Sequence, residues 1–283
     1  MRRDNDPVWL EQQYNARAAV PEHPLHFQKW AAASAHVRAN ARCVLDLPYG
    51  DGPGETLDVF PGDAAGAPVL VFVHGGYWRG LDKSEHSFIA PVFTAAGALV
   101  VVPNYALVPA VSIEQITLQV ARAVEWSWRH AAEYGGDPSR IVVAGHSAGG
   151  HLTAMMLSCR WKEIADDLPA QLVRAGLAIS GLYDLEPLRH VPSLQDLGLT
   201  PASVKRLSPA FFPRPKGRLI AVAGGLESDE FRRQTQLIRD VWGPTAVPVS
   251  ETIPGVDHFT ILRELVDPAA RLHALARGLL GLK

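Results

Sequence analysis

The sequence predicts an α/β fold, a mostly parallel central sheet with helices on both faces. Three observations carry this. Short apolar runs of strand type alternate with segments whose apolar residues recur at helical spacing. One run, Ile141–Ala144, leads through Gly145-His146-Ser147-Ala148-Gly149 into a segment that can be helical, giving strand, sharp turn and helix in succession. Of the 283 residues, 47% are hydrophobic and 20% charged, enough for the large core such a sheet requires.

Residues 1–45 carry Trp9, Tyr14, Phe27 and Trp30 among charged and Ala-rich stretches interrupted at Pro21 and Pro24. They are read as two short helices, an N-terminal arm or cap packed on a catalytic domain of residues 46–283. Thr56–Phe60 alternates as an edge strand would, Pro61 to Gly66 is a turn, and Val69–Val73 and Ala98–Val102 are apolar strands. Ser112 to about Tyr134 repeats Ile113, Ile116, Val120 and Val124 at helical spacing and stops at Gly135-Gly136-Asp137-Pro138. After Ile141–Ala144 a helix is expected from Gly150 to about Arg160. Val173–Ile179, Leu219–Val222 and Val247–Ile253 are further strands, and Asp267–Leu280 closes as a helix. The proline-rich piece from 191 to 216 lacks periodicity and reads as an irregular excursion with short helices.

The net charge of −2 and a pI near 6.6 give no reason to expect nucleic acid or an anionic membrane as partner. Cys43 and Cys159 fit no metal spacing and read as thiols in a reducing compartment. No apolar signal region opens the chain, and no apolar run approaches the length of a membrane helix, so a cytoplasmic protein is expected. The expected partner is a small-molecule ester or amide, with a homodimer left open.

A serine hydroxyl is a poor nucleophile until a base takes its proton, and the base works best when a carboxylate orients it. On this type of turn Ser147 is lifted clear of the sheet, and side chains at Gly145 or Gly149 would collide with the neighbouring helix and strand. The chain order for such an elbow is serine, acid, histidine. His258, in the loop after the last strand, is the base of choice among 11 histidines. His146 and His151 flank the nucleophile and read as packing or hydrogen-bonding residues. The acid is Glu227 or Asp229, both just past Leu219–Val222. Glu227 lies nearer the strand end, and Asp229 suits the first turn of a helix through Arg239. Asp184 follows a strand one place too early and reads as structural or pocket-forming. Val69–Val73 ends in His74-Gly75-Gly76-Tyr77-Trp78, where consecutive glycines let backbone N–H groups approach a substrate oxygen. Gly75, Gly76 and Ala148 are thus the expected oxyanion hole, and Tyr77 and Trp78 an apolar wall of the substrate pocket.

At these residues the chain resembles the α/β-hydrolase superfamily, on the branch with an HGG oxyanion loop shared by hormone-sensitive-lipase-like esterases. More narrowly it is similar to the kynurenine formamidases (arylformamidases). HGGYW at 74–78, GHSAGGHL at 145–152, SGLYDLEPL at 180–188 and SDEFRRQ at 228–234 carry the resemblance, which spans about residues 50–265. In that family the acid is an aspartate directly before the Ser-x-Glu-Phe run, a position held here by Glu227. The resemblance implies an α/β-hydrolase fold and a serine hydrolase that needs neither metal nor organic cofactor. The implied substrate is a small aryl formamide such as N-formylkynurenine. A small-acyl carboxylesterase or related amidase is the alternative, and a ligand-binding homologue without turnover a rival of another class.

Overall fold

The structure, a computed structural model, describes residues 6–63 and 65–282. The first five residues of the expected arm, and Ala64 in the expected turn, lie outside that set. Eight strands form one sheet: β1 (Val44–Pro48), β2 (Thr56–Phe60), β3 (Ala67–Val73), β4 (Leu99–Pro103), β5 (Gly136–His146), β6 (Ala175–Ile179), β7 (Arg218–Gly224) and β8 (Val249–Ile253). Their order is β1-β2-β4-β3-β5-β6-β7-β8. β1–β2 and β2–β4 pair antiparallel, and every pair from β4 to β8 is parallel. The central strands β3 and β4 are buried along their whole length, as continuous Val/Leu/Phe runs require when helices cover both faces.

The helices are α1 (Pro7–Tyr14), α2 (Ala16–Ala19), α3 (His23–Asn40), α4 (Ala90–Ala95), α5 (Ile113–His130), α6 (Ala148–Ser158), α7 (Trp161–Ile164), α8 (Pro201–Leu207), α9 (Asp229–Ala246), α10 (Ile261–Val266) and α11 (Arg271–Leu280). The start of α5 is written in its sequence. Ser112 accepts from the Gln115 N–H while Gln115 accepts from the Ser112 N–H, a capping box, and Ile113, Ile116, Val120 and Val124 form its buried face. Gly135, at φ 83°, ends the 3₁₀ turn that follows.

Several expectations need correction. The arm holds three helices, not two, because Pro24 stands in the first turn of α3, where its missing N–H costs nothing. β2 is an interior strand; the edge is β1, unexpected because most of its side chains are exposed and its register is bulged. β1 also straddles the expected arm boundary at residue 45. The closing helix expected from Asp267 begins at Arg271 as α11, and a separate short helix, α10, ends just before Asp267-Pro268, since proline cannot continue the helix from α10. α9 runs past Arg239 to Ala246, with a break at Gly243 (φ 79°, ψ 164°) before Pro244.

Candidate active site

Four neighbouring strands, β5 to β8, each deliver one polar side chain at their C-terminal ends: Ser147, Ser180, Glu227 and His258. That is the crevice edge where open parallel sheets bind ligands. Ser147 sits between β5 and α6 at φ 57°, ψ −117°, a conformation that an L-residue holds only when its surroundings enforce it. Here they do. A Cβ on Gly145 would lie 2.2 Å from the Gly149 carbonyl oxygen, and one on Gly149 would lie 2.0 Å from that of Val73. Only glycines let α6 pack this closely on β5 and β3. The Ser147 N–H donates to the Ile179 carbonyl (2.8 Å), tying the elbow to β6.

His258 lies in the loop after β8, pinned by Asp257, whose Oδ1 accepts from the N–H groups of Phe259 and Thr260, both at 2.8 Å. The His258 Nδ1 donates to Glu227 Oε2 at 2.7 Å. The other Glu227 oxygen accepts from Ser180 Oγ and from the Gly224 N–H, each at 2.6 Å. Both carboxylate oxygens are therefore engaged, and the acid is fixed in one orientation. Ser180, itself at φ 53°, directly follows β6; its role in holding the acid is invisible in the sequence except as a hydroxyl at a strand end. Asp229 stands apart, exposed and paired with Arg232 on α9. Asp184 lies against the same helix, where its carbonyl accepts from Gln234 Nε2 (2.7 Å).

His146 is fully buried. Its Nε2–H donates to the His258 carbonyl (2.8 Å), and its ring centroid lies 4.7 Å from that of His258. Desolvation, together with His258 and His86, holds the His146 imidazole well below its usual pKa, so it stays neutral and braces His258 from behind. His151 packs under the elbow, with Nε2–H donating to the Leu207 carbonyl (2.7 Å).

The loop after β3 turns through three successive left-handed residues, Gly76 (φ 106°), Tyr77 (φ 51°) and Trp78 (φ 57°). A Cβ on Gly75 would come within 3.1 Å of the Ser147 Cβ, which shows how closely this loop lies on the elbow. Among the described residues the N–H groups of Gly75, Gly76 and Ala148 donate to no backbone carbonyl in loop or cap bonds. Tyr105 clamps the loop, its hydroxyl reaching the carbonyls of His74 (2.9 Å) and Gly75 (3.2 Å) while its ring stacks on His74 at 4.2 Å.

A cleft of about 30 Å³ of free volume is lined by Ser147, His258 and Gly76 on one side. Tyr77 lines it, as expected. Trp78 does not: the backbone turn sends its indole into the core, fully buried and edge-on to His151 at 5.1 Å. Its place in the cleft wall is taken by Ala16, Arg17, Phe27 and Trp30 of the arm. The arm is fastened over the cleft by side chains. Tyr14 Oη donates to Glu230 Oε2 (2.7 Å), Ser228 Oγ to the Gln13 carbonyl (2.6 Å), and Tyr77 Oη to the Tyr14 carbonyl (2.5 Å). No cluster of His, Cys, Asp or Glu among the described residues could hold a metal, and no helix among them is long and apolar enough to cross a membrane.

This sheet order, with a glycine-enforced serine elbow beside a histidine–carboxylate pair, defines a hydrolase of the α/β-hydrolase fold. The sequence pattern of that fold matches residues 70–223, more than half of the chain. The chain belongs to the α/β-hydrolase family, and its relatives there include kynurenine formamidases. That of Danio rerio is 30% identical over 266 residues, covering 90% of this chain and 88% of the relative. The Drosophila melanogaster enzyme is 30% identical, covering 77% and 75%. A crystal structure from Silicibacter sp. tm1040, described as a candidate thioesterase, superposes with a TM-score of 0.82 at 30% identity, covering 94% of this chain and 97% of that one.

Proposed function

We propose that the protein cleaves a small acyl group, formyl foremost, from an aryl amine such as that of N-formylkynurenine, through an acyl-enzyme on Ser147. The observation that supports this best is the His258–Glu227 hydrogen bond of 2.7 Å beside a serine held in the elbow conformation in the same cleft. His258 takes the Ser147 proton as Oγ attacks the carbonyl carbon. Glu227 holds the ring so that Nε2 faces the reaction, and stabilises the imidazolium that forms. The negative charge that develops on the carbonyl oxygen is met by the N–H groups of Gly75, Gly76 and Ala148, the last at the N-terminus of α6. As the C–N bond breaks, His258 passes its proton to the leaving amine. Water then attacks the formyl ester with His258 again as base, releasing formate and restoring Ser147.

Three features favour formyl. The free space beside Ser147 is of the order of one or two waters, which suits the smallest acyl group. An aniline is expelled more readily than an alkyl amine, so an esterase-like site suffices. The relatives from Danio rerio and Salmo salar, each named a kynurenine formamidase, align over 90% of the chain, whereas Esterase LipQ of Mycobacterium tuberculosis covers 52% of it. A small-acyl carboxylesterase is the second reading, since Glu227 replaces the aspartate of the formamidase pattern. Cys43 and Cys159, both free thiols, support a reducing, cytoplasmic setting. Steady-state rates on N-formylkynurenine and on p-nitrophenyl acetate and butyrate test the proposal. A kcat/KM for the formamide at least about tenfold above that for the acetate ester, against the intrinsic reactivity order, is expected. Brisk ester turnover without formamide cleavage assigns the protein to the carboxylesterases instead.

A further inference from the structure

Beside the cleft lies a second, larger chamber of about 350 Å³, walled by the arm and by the loop after β3. The two spaces share Ala16, Arg17, Gly76 and Tyr77, so a molecule with its carbonyl at Ser147 can extend its leaving group past Arg17. The chamber's lining is cationic. It contains Arg17, Arg79 and His23, and no Asp or Glu. Arg79 is already engaged, donating to the Ser193 carbonyl (2.8 Å) and to Asp196 (2.5 Å). Arg17 is not. Among the described residues it forms no hydrogen bond or ion pair; its guanidinium lies over the Phe27 ring, 5.4 Å from the centroid, and the residue lines both spaces. Burial and the charge of Arg79 both disfavour its cation, and only Glu85, in the loop before α4, offsets them. Glu85 acts on it only through space: one of its oxygens accepts from the Asp82 N–H at 3.0 Å, and among the described residues it forms no ion pair with Arg17. A guanidinium seated on an aromatic face, close to a second arginine and with no carboxylate in hydrogen-bond or ion-pair contact, is a site for a planar anion.

We infer that Arg17 selects the leaving group: the preferred substrate is an aryl formamide or ester whose leaving amine or alcohol carries a carboxylate, received by Arg17 in the chamber beside Tyr77. This rests on the acyl-transfer reading of Ser147 but not on formyl being the acyl group. The chemistry is one of position. With the carboxylate held at Arg17, the scissile carbonyl is confined to the small space at Ser147, and binding remote from the reacting bond orients it.

Two substrate pairs test this, each differing only in the charge of one distant group. One is N-formylkynurenine against its α-carboxamide; the other is 4-acetoxyphenylacetate against 4-acetoxyphenylacetamide. In the wild type, kcat/KM is expected to favour the carboxylate over the amide at least about tenfold, mostly through KM, and the preference shrinks as salt is raised. Arg17→Gln should erase most of that preference, and Arg17→Lys should keep part of it, since a point charge replaces the planar fork. Turnover of the ester pair but not of the formamides would sink the formyl assignment and leave Arg17 to be judged on the esters alone. A wild type indifferent to the carboxylate in every pair it turns over, or an Arg17→Gln variant with the wild-type preference, overturns the inference.

Discussion

The floor and the roof of the cleft are built in different ways. Ser147, Glu227 and His258 stand beyond the ends of β5, β7 and β8, and a backbone group takes part in holding each. The Ile179 carbonyl receives the Ser147 N–H, the Gly224 N–H reaches Glu227, and the turn at Asp257 pins His258. The roof is held by bonds that each spend a side chain, running between α1 and α9 or the loop after β3: Tyr14 Oη to Glu230, Ser228 Oγ to the Gln13 carbonyl, Tyr77 Oη to the Tyr14 carbonyl. Backbone contacts tolerate many sequences but almost no displacement, whereas side-chain contacts can be exchanged one at a time. On the proposed function, the difference assigns reaction type to the floor and substrate choice to the roof. Variants in the two regions should therefore fail differently, the floor in kcat and the roof in KM.

The largest effect expected is at the floor. Ser147→Ala removes the nucleophile and should lower kcat by about 10⁴-fold or more with the fold intact by circular dichroism. A fluorophosphonate should label Ser147 in the wild type, and label on a different serine would break the comparison at its centre. Next is the acid. Glu227→Gln should cost about 10²–10⁴-fold in kcat, because the amide can no longer hold the imidazolium. Asp229→Asn, on an exposed carboxylate outside the cleft, should cost less than about tenfold. The reverse ranking would move the acid to the first turn of α9.

A pH series sharpens the contrast through stability. Burial pushes the His86 imidazole down to about 3 and the His151 imidazole to about 4, so both stay neutral in the folded protein while the unfolded chain protonates near 6.5. Below about pH 6.5 the unfolded state binds the extra protons, so stability falls as pH falls and continues to fall until the folded-state values are reached. The two together should shift the folding equilibrium by up to about a hundredfold per pH unit below 6, read as a drop in urea midpoint between pH 6.5 and 5. A midpoint flat over that window would show that these rings are not held neutral. The smallest effect belongs to the roof. Tyr14→Phe removes two hydrogen bonds from the arm, the one to Glu230 and the one from Gln234, each of the order of 1 kcal/mol, and should raise KM a few-fold while kcat holds. An equal loss in kcat would erase the distinction between floor and roof.

What the sequence disclosed follows the same division. The elbow, the HGG loop and the alternation of strands and helices around them were legible because each is a short-range requirement: a glycine where a Cβ would strike a carbonyl, a histidine in the loop after the last strand. The resemblance to the formamidases rested on these stretches and held. The arm was harder to read. The buried line of α3 is His26, Trp30 and Ser34, spaced as a helix requires but mostly polar, so no apolar stripe announces it. Trp78 was misplaced for a related reason. Its direction depends on three consecutive left-handed residues in the HGG loop, and neither Tyr77 nor Trp78 is of a type that signals positive φ. The cleft wall supplied by the arm comes from residues more than 100 positions before Ser147, a distance over which pattern alone says nothing.

The long strand β5 has a practical consequence. Arg140, six residues before its C-terminal end at His146, holds the tail of α11, the guanidinium donating to the Leu280 carbonyl at 3.1 Å, while Ser147 follows that end. A purification handle or surface tether joined after Gly281 would thus stand behind the sheet and leave substrate traffic unhindered. The same handle ahead of Pro7 would sit on the roof. Immobilised preparations made the two ways should differ in their apparent affinity for bulky substrates, even with identical enzyme in each.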